Sequence, residues 1–315
     1  MISFRYHLVT IVAVFLALGL GVLAGTTVLD EGLVNRLERQ TQVLADGNAT
    51  LRERIDAQAD ELAATESFAE QAFVALAPAK LADHDAVVLT HDLVDATAVD
   101  RASEALEVGG ASVEAVFTLQ SRMSLRDDDA RAEMATLLGE PANTDAAALR
   151  AKALERLAER LAFGPGRPQA NRVQEDILTR LLSAGFVTVD GPGAGETLAQ
   201  VGGPETIATV VGGGPEEAAA ASEVLVPLVG DLRLERMQTA AGQPAGSEVP
   251  FVAEVREPGT VASTELVTVD GIDRPIGQLA LVLGMQRLGS VVAEGGSYGP
   301  GPDASEVIPP LRPGG

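Results

Sequence analysis

The sequence predicts an α/β protein in which a transmembrane helix and a coiled-coil stalk precede a three-layer domain with a mostly parallel sheet. Three observations lead to this prediction. Residues 8–29 form an uncharged apolar run, residues 30–77 carry apolar side chains at heptad spacing, and short apolar strands alternate with helical stretches after Pro78. We expect a cytoplasmic start and anchor at 1–29, a coiled coil at 30–77, an extracytoplasmic domain at 78–294 and a Gly/Pro-rich tail at 295–315.

The composition excludes several functions. The chain has 315 residues, 46% of them hydrophobic, and a formal net charge of −22. Nucleic-acid binding needs a basic face that neutralises phosphates, and so we expect no nucleic-acid partner. The absence of cysteine excludes disulfides, iron–sulfur clusters and thiolate metal sites.

The apolar run at 8–29 is long enough to cross a bilayer as one helix, at about 1.5 Å per residue. Arg5 precedes the run and two acids follow it, so the positive-inside rule places the N-terminus in the cytoplasm and the bulk of the chain outside. The rival interpretation is a signal peptide cleaved at Gly25, after the small residues Val22 and Ala24. The run is too long for a usual signal peptide, and we therefore expect an uncleaved single-pass anchor in the cell membrane.

Two glycines in this run, Gly21 and Gly25, have the spacing that lets membrane helices pack closely. Glycine is also common in membrane helices in general. On the spacing alone the general frequency of glycine is the better interpretation, and the segment that follows changes this balance.

Residues 30–77 contain no proline and repeat apolar residues in heptads. Asn48 falls at an a position, where a buried Asn fixes the register of a parallel dimer. The alternative is a single amphipathic helix that lies on its own domain. We favour the parallel dimer, in which the faces of Gly21 and Gly25 also meet. The predicted dimer interface consists of Val34, Leu37, Leu44, Asn48, Leu51, Ile55 and Leu62.

After Pro78, strand and helix patterns alternate with the short loops of βαβ units. This order predicts a Rossmann-like domain. The predicted strands lie within 85–95 and at 112–119, 186–190, 206–213 and 250–255. The predicted helices lie at 95–108, 127–138, 145–162, 170–184, 215–232 and 275–289. The tail, dense in Gly and Pro, should be disordered or extended.

A glycine-rich loop at 210–217, with the sequence VVGGGPEE, joins a predicted strand to a predicted helix. Backbone N–H groups in such a loop can hold a phosphate. The loop matches neither the dinucleotide fingerprint nor the phosphate loop of nucleotide-binding proteins, and its two glutamates would repel an anion. We expect a tight turn.

Candidate metal ligands are few. His84 and His91 flank the first predicted strand, and about 3.3 Å per residue places them at its opposite ends, too far apart to share one ion. The run Asp127, Asp128 and Asp129 opens a predicted helix, where an N-cap and first-turn charges are a better interpretation than a cation site. The sequence shows no catalytic signature. We therefore expect no enzymatic activity and no evident cofactor, and the metal ligands stay unknown.

The two ends of the chain carry a family resemblance. Residues 1–26, MISFRYHLVTIVAVFLALGLGVLAGT, look like the start of the actinobacterial MctB-type proteins, the mycobacterial copper transport family. Residues 269–285, VDGIDRPIGQLALVLGM, and 298–311, YGPGPDASEVIPPL, are similar to the closing motif of that family. Within this motif, Asp270 and Asp273 precede the last predicted helix. They either cap that helix or face a cleft at the strand ends, and we favour the cap.

The resemblance implies a role in copper efflux or copper resistance. Copper is expected only because of this resemblance, since the residues themselves do not indicate a copper site. It also implies an alternative. Similar corynebacterial proteins, called SteB, work with a SteA-type membrane partner in controlling cell-wall hydrolysis during division. The predicted partners are accordingly a second copy of the chain, and either a SteA-type protein or a cell-wall hydrolase.

Overall fold

The computed structural model describes residues 4–166, 176–257, 265–290, 294–301 and 304–311, with the side chains of 4, 26–34, 166, 196 and 197 excepted. The chain divides into two compact units, residues 1–65 and residues 66–315. The first unit belongs to one long helix, and the second contains the end of that helix and the whole sheet. Each unit is described by itself.

Helix α1 (Phe4–Leu76) is continuous through the predicted anchor and the predicted stalk. Continuity follows from composition, because residues 4–76 lack proline and Gly is the only helix breaker among them. The helix stops just before Pro78, whose ring disfavours helical geometry at the residue before it. Ala79 then takes a positive φ of 61°, which turns the chain toward the sheet.

The second unit is built on a seven-stranded sheet with the order β3-β2-β1-β4-β5-β6-β7. All neighbouring pairs are parallel except β2 and β3, which are antiparallel. The strand order reverses between β1 and β4. The strands are β1 (Asp85–His91), β2 (Ser112–Leu119), β3 (Val187–Asp190), β4 (Thr206–Val211), β5 (Thr239–Gln243), β6 (Val267–Asp270) and β7 (Gly296–Tyr298).

Helices cover both faces of the central strands. Every residue of β4 is buried, and so are all residues of β1 after Asp85. Successive side chains of a strand point to opposite faces, so this pattern requires a layer on each side. The remaining helices are α2 (Ala96–Val108), α3 (Asp128–Leu138), α4 (Ala146–Phe163), α5 (Ile177–Ser183), α6 (Ala219–Leu234), α7 (Phe251–Arg256) and α8 (Pro275–Leu288).

The α/β class with a mostly parallel sheet and an N-terminal apolar helix is thus confirmed. Four predicted strands are present, and the predicted helices correspond to α2 to α6 and α8, although residues 170–175 of one prediction lie outside the described residues. The strand predicted at 250–255 is wrong, because this segment forms α7. Its buried residues, Phe251, Val252 and Val255, have the i, i+1, i+4 spacing of a helix.

Three strands were not predicted. Strand β5 has the sequence Thr-Ala-Ala-Gly-Gln, which lacks the bulky residues typical of strands. Strand β6 has only four residues. Strand β7 lies inside the segment expected to be a disordered or extended tail, and Tyr298 at its end is only 4% exposed. Residues 296–298 are therefore extended and belong to the sheet.

Candidate functional sites on the long helix and at the sheet edge

The first part of α1 has the composition of a membrane span. Residues Arg5–Gly25 have a mean hydropathy of 2.6, and none of this window is buried inside the protein. By length and composition the segment is able to cross a membrane. A Cβ atom built on Gly21 or on Gly25 would have no neighbouring atom within 4 Å, so both positions are open to a partner helix.

The predicted heptad positions along α1 form an exposed apolar stripe. Leu37, Leu44, Leu51, Ile55 and Leu62 are between 51% and 68% exposed. Asn48 is exposed as well, while the side chain of Val34 lies outside the description. Such a row of leucines is costly to leave in water, and so it is a candidate surface for a second helix.

Two threonines within the same heptad pattern satisfy their own hydroxyl groups. Thr41 Oγ1 donates a hydrogen bond to the carbonyl of Leu37, and Thr65 Oγ1 donates one to the carbonyl of Glu61. A threonine bonded in this way can lie in an apolar seam without an unpaired donor. Thr41 and Thr65, which are polar residues at a and d positions of the heptad, are therefore compatible with an apolar seam.

The last turns of α1 belong to the second unit. Ala69, Phe73 and Ala77 are 5%, 7% and 0% exposed, at the i, i+4, i+8 spacing of one helix face. Glu66 forms a 3.4 Å ion pair with Arg274, just before α8. The heptad positions beyond Thr65 are Ala69, Ala72 and Leu76. Ala69 is buried, and Ala72 and Leu76 pack against the core of the domain, so these positions face the α/β domain.

The carboxyl ends of β1 and β2 carry a polar network around Asp92. Its carboxylate accepts hydrogen bonds from the backbone N–H and the Oγ of Ser121, at 2.9 and 2.7 Å. It also lies 2.8 Å from Nδ1 of His91, whose ring is buried. Burial lowers the pKa of His91 below its ordinary value, and the charge of Asp92 partly opposes that shift.

This network joins the loops that follow β1 and β2. In a catalytic serine site the hydroxyl hydrogen-bonds to the imidazole. Here Ser121 donates to the carboxylate instead. The Leu93 N–H donates to Nδ1 of His91 at 3.3 Å, and the same nitrogen lies 2.8 Å from the carboxylate of Asp92. Asp92 therefore joins the loops after the two strands.

Side chains of the protein occupy the space beside the glycine-rich loop after β4. Ring atoms of Phe251 lie 2.6 to 2.8 Å from the position that a Cβ atom would take on Gly212. A Cβ on Gly213 would lie 2.9 Å from Gln243 Cβ and from Ser247 Oγ. The backbone amide of Glu216 donates to the carboxylate of Glu248 at 3.2 Å. Gly213 and Gly214 take positive φ angles of 77° and 126°, and the glycines of this loop admit protein side chains.

Asp270 and Asp273 do not cap α8, and the favoured prediction is wrong. The N-cap residue is Arg274, and no side chain caps this end of the helix. Asp273 Oδ1 instead accepts from the backbone N–H of Ala245 at 2.6 Å. Asp270, at the carboxyl end of β6, accepts from Gln243 at 2.8 Å and pairs with Arg256 at 3.1 Å. Both carboxylates are therefore bound by groups outside the N-terminus of α8. The partners of Asp270 are Gln243 and Arg256, and the partner of Asp273 is the backbone after β5.

Sequence reasoning missed Arg256 and Phe251, because their segment was assigned to a strand. Arg256 also donates from Nε to Thr268 Oγ1 at 2.8 Å, and its side chain is mostly buried. The helix could have been recognised from the spacing of its three apolar residues, 251, 252 and 255. Glu254 lies between two of them and Arg256 follows the last.

The predicted separation of the histidines is confirmed, since His84 directly precedes β1 and His91 ends it. Asp127 is the N-cap of α3, accepting from the N–H of Asp129 at 2.9 Å, with Asp128 and Asp129 in the first turn. Within the part of the chain that the structure describes, no three His, Asp or Glu side chains come together as metal ligands do.

The fold defines an α/β protein whose domain follows a long N-terminal helix able to span a membrane. Residues 1–309 match the family described as "Copper transport outer membrane protein, MctB". The chain is also 26% identical to proteins named "Copper transporter MctB" from Mycobacterium bovis and Mycobacterium tuberculosis, over 98% of its own length and 99% of theirs. It belongs to the MctB family, and the resemblance noted from its two ends is confirmed.

Proposed function

We propose that this protein is a membrane-anchored, extracytoplasmic component of copper handling in the cell envelope. The observation that carries the proposal is the family match over residues 1–309, which includes the membrane-competent helix as well as the α/β domain. Relatives at full coverage are named copper transporters. Copper is the cargo in this proposal and not a resident cofactor.

Within that role the chain acts as a parallel dimer that presents two α/β domains outside the membrane. The exposed stripe of Leu37, Leu44, Leu51 and Ile55 supports this, because a second copy would cover it. Both chains would enter the membrane in the same direction, which brings Gly21 and Gly25 of each into one interface. The N-terminus lies in the cytoplasm, since Arg5 precedes the span.

The domain is best interpreted as Rossmann-like, since its strand order follows the doubly wound arrangement apart from the antiparallel β3. In such folds ligands bind at the carboxyl edge where the strand order reverses. Phe251 and the Asp92 network occupy this region. This supports a scaffold that acts through its outer surfaces.

The experiment compares a deletion strain complemented with the native gene or with variants. Deletion should make the cells more sensitive to copper and should raise the amount of copper that they accumulate. The double substitution Leu44→Ser and Leu51→Ser should abolish the dimer in sedimentation of the full chain and fail to complement. Val43→Ser is the matched control, because Val43 is equally exposed, at 70%, but lies outside the predicted seam. Unchanged copper tolerance on deletion would overturn the copper role.

A SteB-like regulator of cell-wall hydrolysis is the second candidate. The exposed stripe on α1 favours this candidate as well. A dimeric stalk that presents two domains suits a protein that binds a partner such as a SteA-type membrane protein or a hydrolase. In each domain the carboxyl edge of the sheet is occupied by Phe251 and the Asp92 network. Deletion would then cause a division defect and sensitivity to cell-wall hydrolases at unchanged copper tolerance. Titration of the full chain with Cu(I) separates the two further, since direct transport requires binding and regulation does not.

A further inference from the structure

A groove of about 340 Å³ lies in the second unit, between the end of α1, the last turns of α8 and residues 309–311. Its volume is in the range typical of small-molecule sites. The apolar part of its wall consists of Leu76, Leu283, Pro309, Pro310 and Leu311. The polar part consists of Lys80, Gln286, Arg287 and Ser290.

The charge at this groove is unusual for the chain. Lys80 is one of two lysines in a protein with a net charge of −22. The other lysine, Lys152, is paired with Glu140, and Arg287 in the groove is paired with Glu294. Among the described residues Lys80 has no ion-pair partner within 4.0 Å. An ammonium group beside an apolar wall is a recognition element for an anion attached to an apolar body.

The polar groups of the wall mostly donate hydrogen bonds. Lysine and arginine side chains have donors only, and Nη1 of Arg287 donates to the carbonyl of Pro310 at 3.5 Å. The hydroxyl of Ser290 donates to the carbonyl of Arg287 at 2.7 Å. A carboxylate, which brings only acceptors and a negative charge, is matched by the ammonium group of Lys80.

We propose that the groove binds an amphiphile with an unbranched apolar chain and a terminal carboxylate. The chain lies against Leu76, Leu283 and Pro309, and the carboxylate pairs with Lys80. Each methylene buried there should strengthen binding about fourfold, the ratio that corresponds to roughly 0.8 kcal/mol. The proposal does not depend on dimerisation or on copper.

The test uses the full chain in nanodiscs of phosphatidylcholine and a dodecanoic acid that carries a photoreactive diazirine at its far end. After illumination, peptide mapping should find saturable labelling at the apolar residues of the wall, Leu76, Leu283 and Pro309. Laurate should displace the label at least about tenfold better than dodecanol, which lacks the charge. Labelling of residues 5–25 by probe dissolved in the lipid serves as the internal reference.

Lys80→Gln should reduce labelling of the groove about tenfold or more, because a charge-assisted hydrogen bond is lost. Lys152→Gln is the matched control and should label as the native chain does, with equal melting temperatures in all three proteins. Equal labelling in Lys80→Gln, equal competition by dodecanol, or labelling that does not saturate would each overturn the proposal. Labelling that disappears as the protein concentration rises would mean that a second copy occupies the groove, and would also overturn it.

Discussion

The ring of Phe251 approaches Gly212 so closely that its nearest atom is 2.6 Å from the place of a Cβ atom. We expect Gly212→Ala to lower the free energy of unfolding by about 1–3 kcal/mol, because the added methyl group forces the ring or the end of β4 to shift. Denaturant unfolding of the full chain measures this.

Gly47→Ala provides the comparison. A Cβ on Gly47 would meet no atom within 4 Å, and alanine favours helix over glycine by up to about 1 kcal/mol. The expected sign is therefore opposite. If both substitutions left stability unchanged, the close contact between Phe251 and Gly212 would be contradicted.

Phe73 and Phe68, both on α1, allow a second comparison of a buried with an exposed position. Phe73 is 7% exposed and Phe68 is 71% exposed. Phe73→Ala should lower the free energy of unfolding by about 3 kcal/mol, because it leaves a cavity between α1 and the sheet domain. Phe68→Ala should change it by less than about 0.5 kcal/mol. Equal effects would mean that the end of α1 does not pack on the domain.

The difference between these phenylalanines also shows how far the sequence predicts this helix. Heptad spacing depends only on positions along the chain, and the leucines that it selects between 37 and 62 are exposed on α1. The same pattern continues to Leu76, although the face beyond Thr65 packs on the domain. That change depends on Arg274 and on the sheet, which are distant in sequence.

The strands show the same limit. β1 and β4 are read correctly because parallel strands buried on both faces are continuous apolar runs. β5 was missed because it needs small residues: Ile272 Cδ1 lies 2.3 Å from the place of a Cβ on Gly242. A short run such as Phe251–Arg256 fits strand or helix equally by apolar content alone.

The buried pair of Arg256 and Asp270 supports a third prediction. Their side chains are 13% and 11% exposed. Arg256→Ala should lower the free energy of unfolding by about 3 kcal/mol, because it leaves the carboxylate of Asp270 buried without its partner. Arg101→Ala is the control. Its pair with Glu104 is about half exposed, so the cost should stay below about 0.5 kcal/mol. Similar losses in both variants would contradict the buried pair.

Asp231 on α6 gives the protein a predictable pH dependence. Burial raises the pKa of Asp231 to about 6, and the charges of Glu155 and Glu235 add to the shift. A raised pKa in the folded state means that the protonated form stabilises the fold, and this contribution is lost as the pH rises through 6. As the pH is lowered from 8 to 4, the free energy of unfolding of the native chain should therefore rise relative to that of the Asp231→Asn variant.

The asparagine variant should be more stable than the native chain at pH 8, on the order of 1 kcal/mol after allowance for solvent screening. This advantage should shrink as the pH falls through 6 and vanish below about pH 3, where Asp231 is neutral in both the folded and the unfolded chain. Melting temperatures across that range measure it. Parallel curves for the two proteins would show that Asp231 does not carry the effect.

Asn48 tests the register of the proposed dimer. At an a position two facing asparagines pair at a cost in stability and restrict the helices to a parallel dimer. Asn48→Leu should therefore stabilise the association by about 2 kcal/mol per chain and allow higher oligomers in sedimentation. Asn35→Leu is the matched control at an exposed position beside the seam. Because both substitutions add the same apolar surface, a change shared by the two would reflect general hydrophobicity. A change confined to Asn48→Leu places position 48 at the contact between two chains.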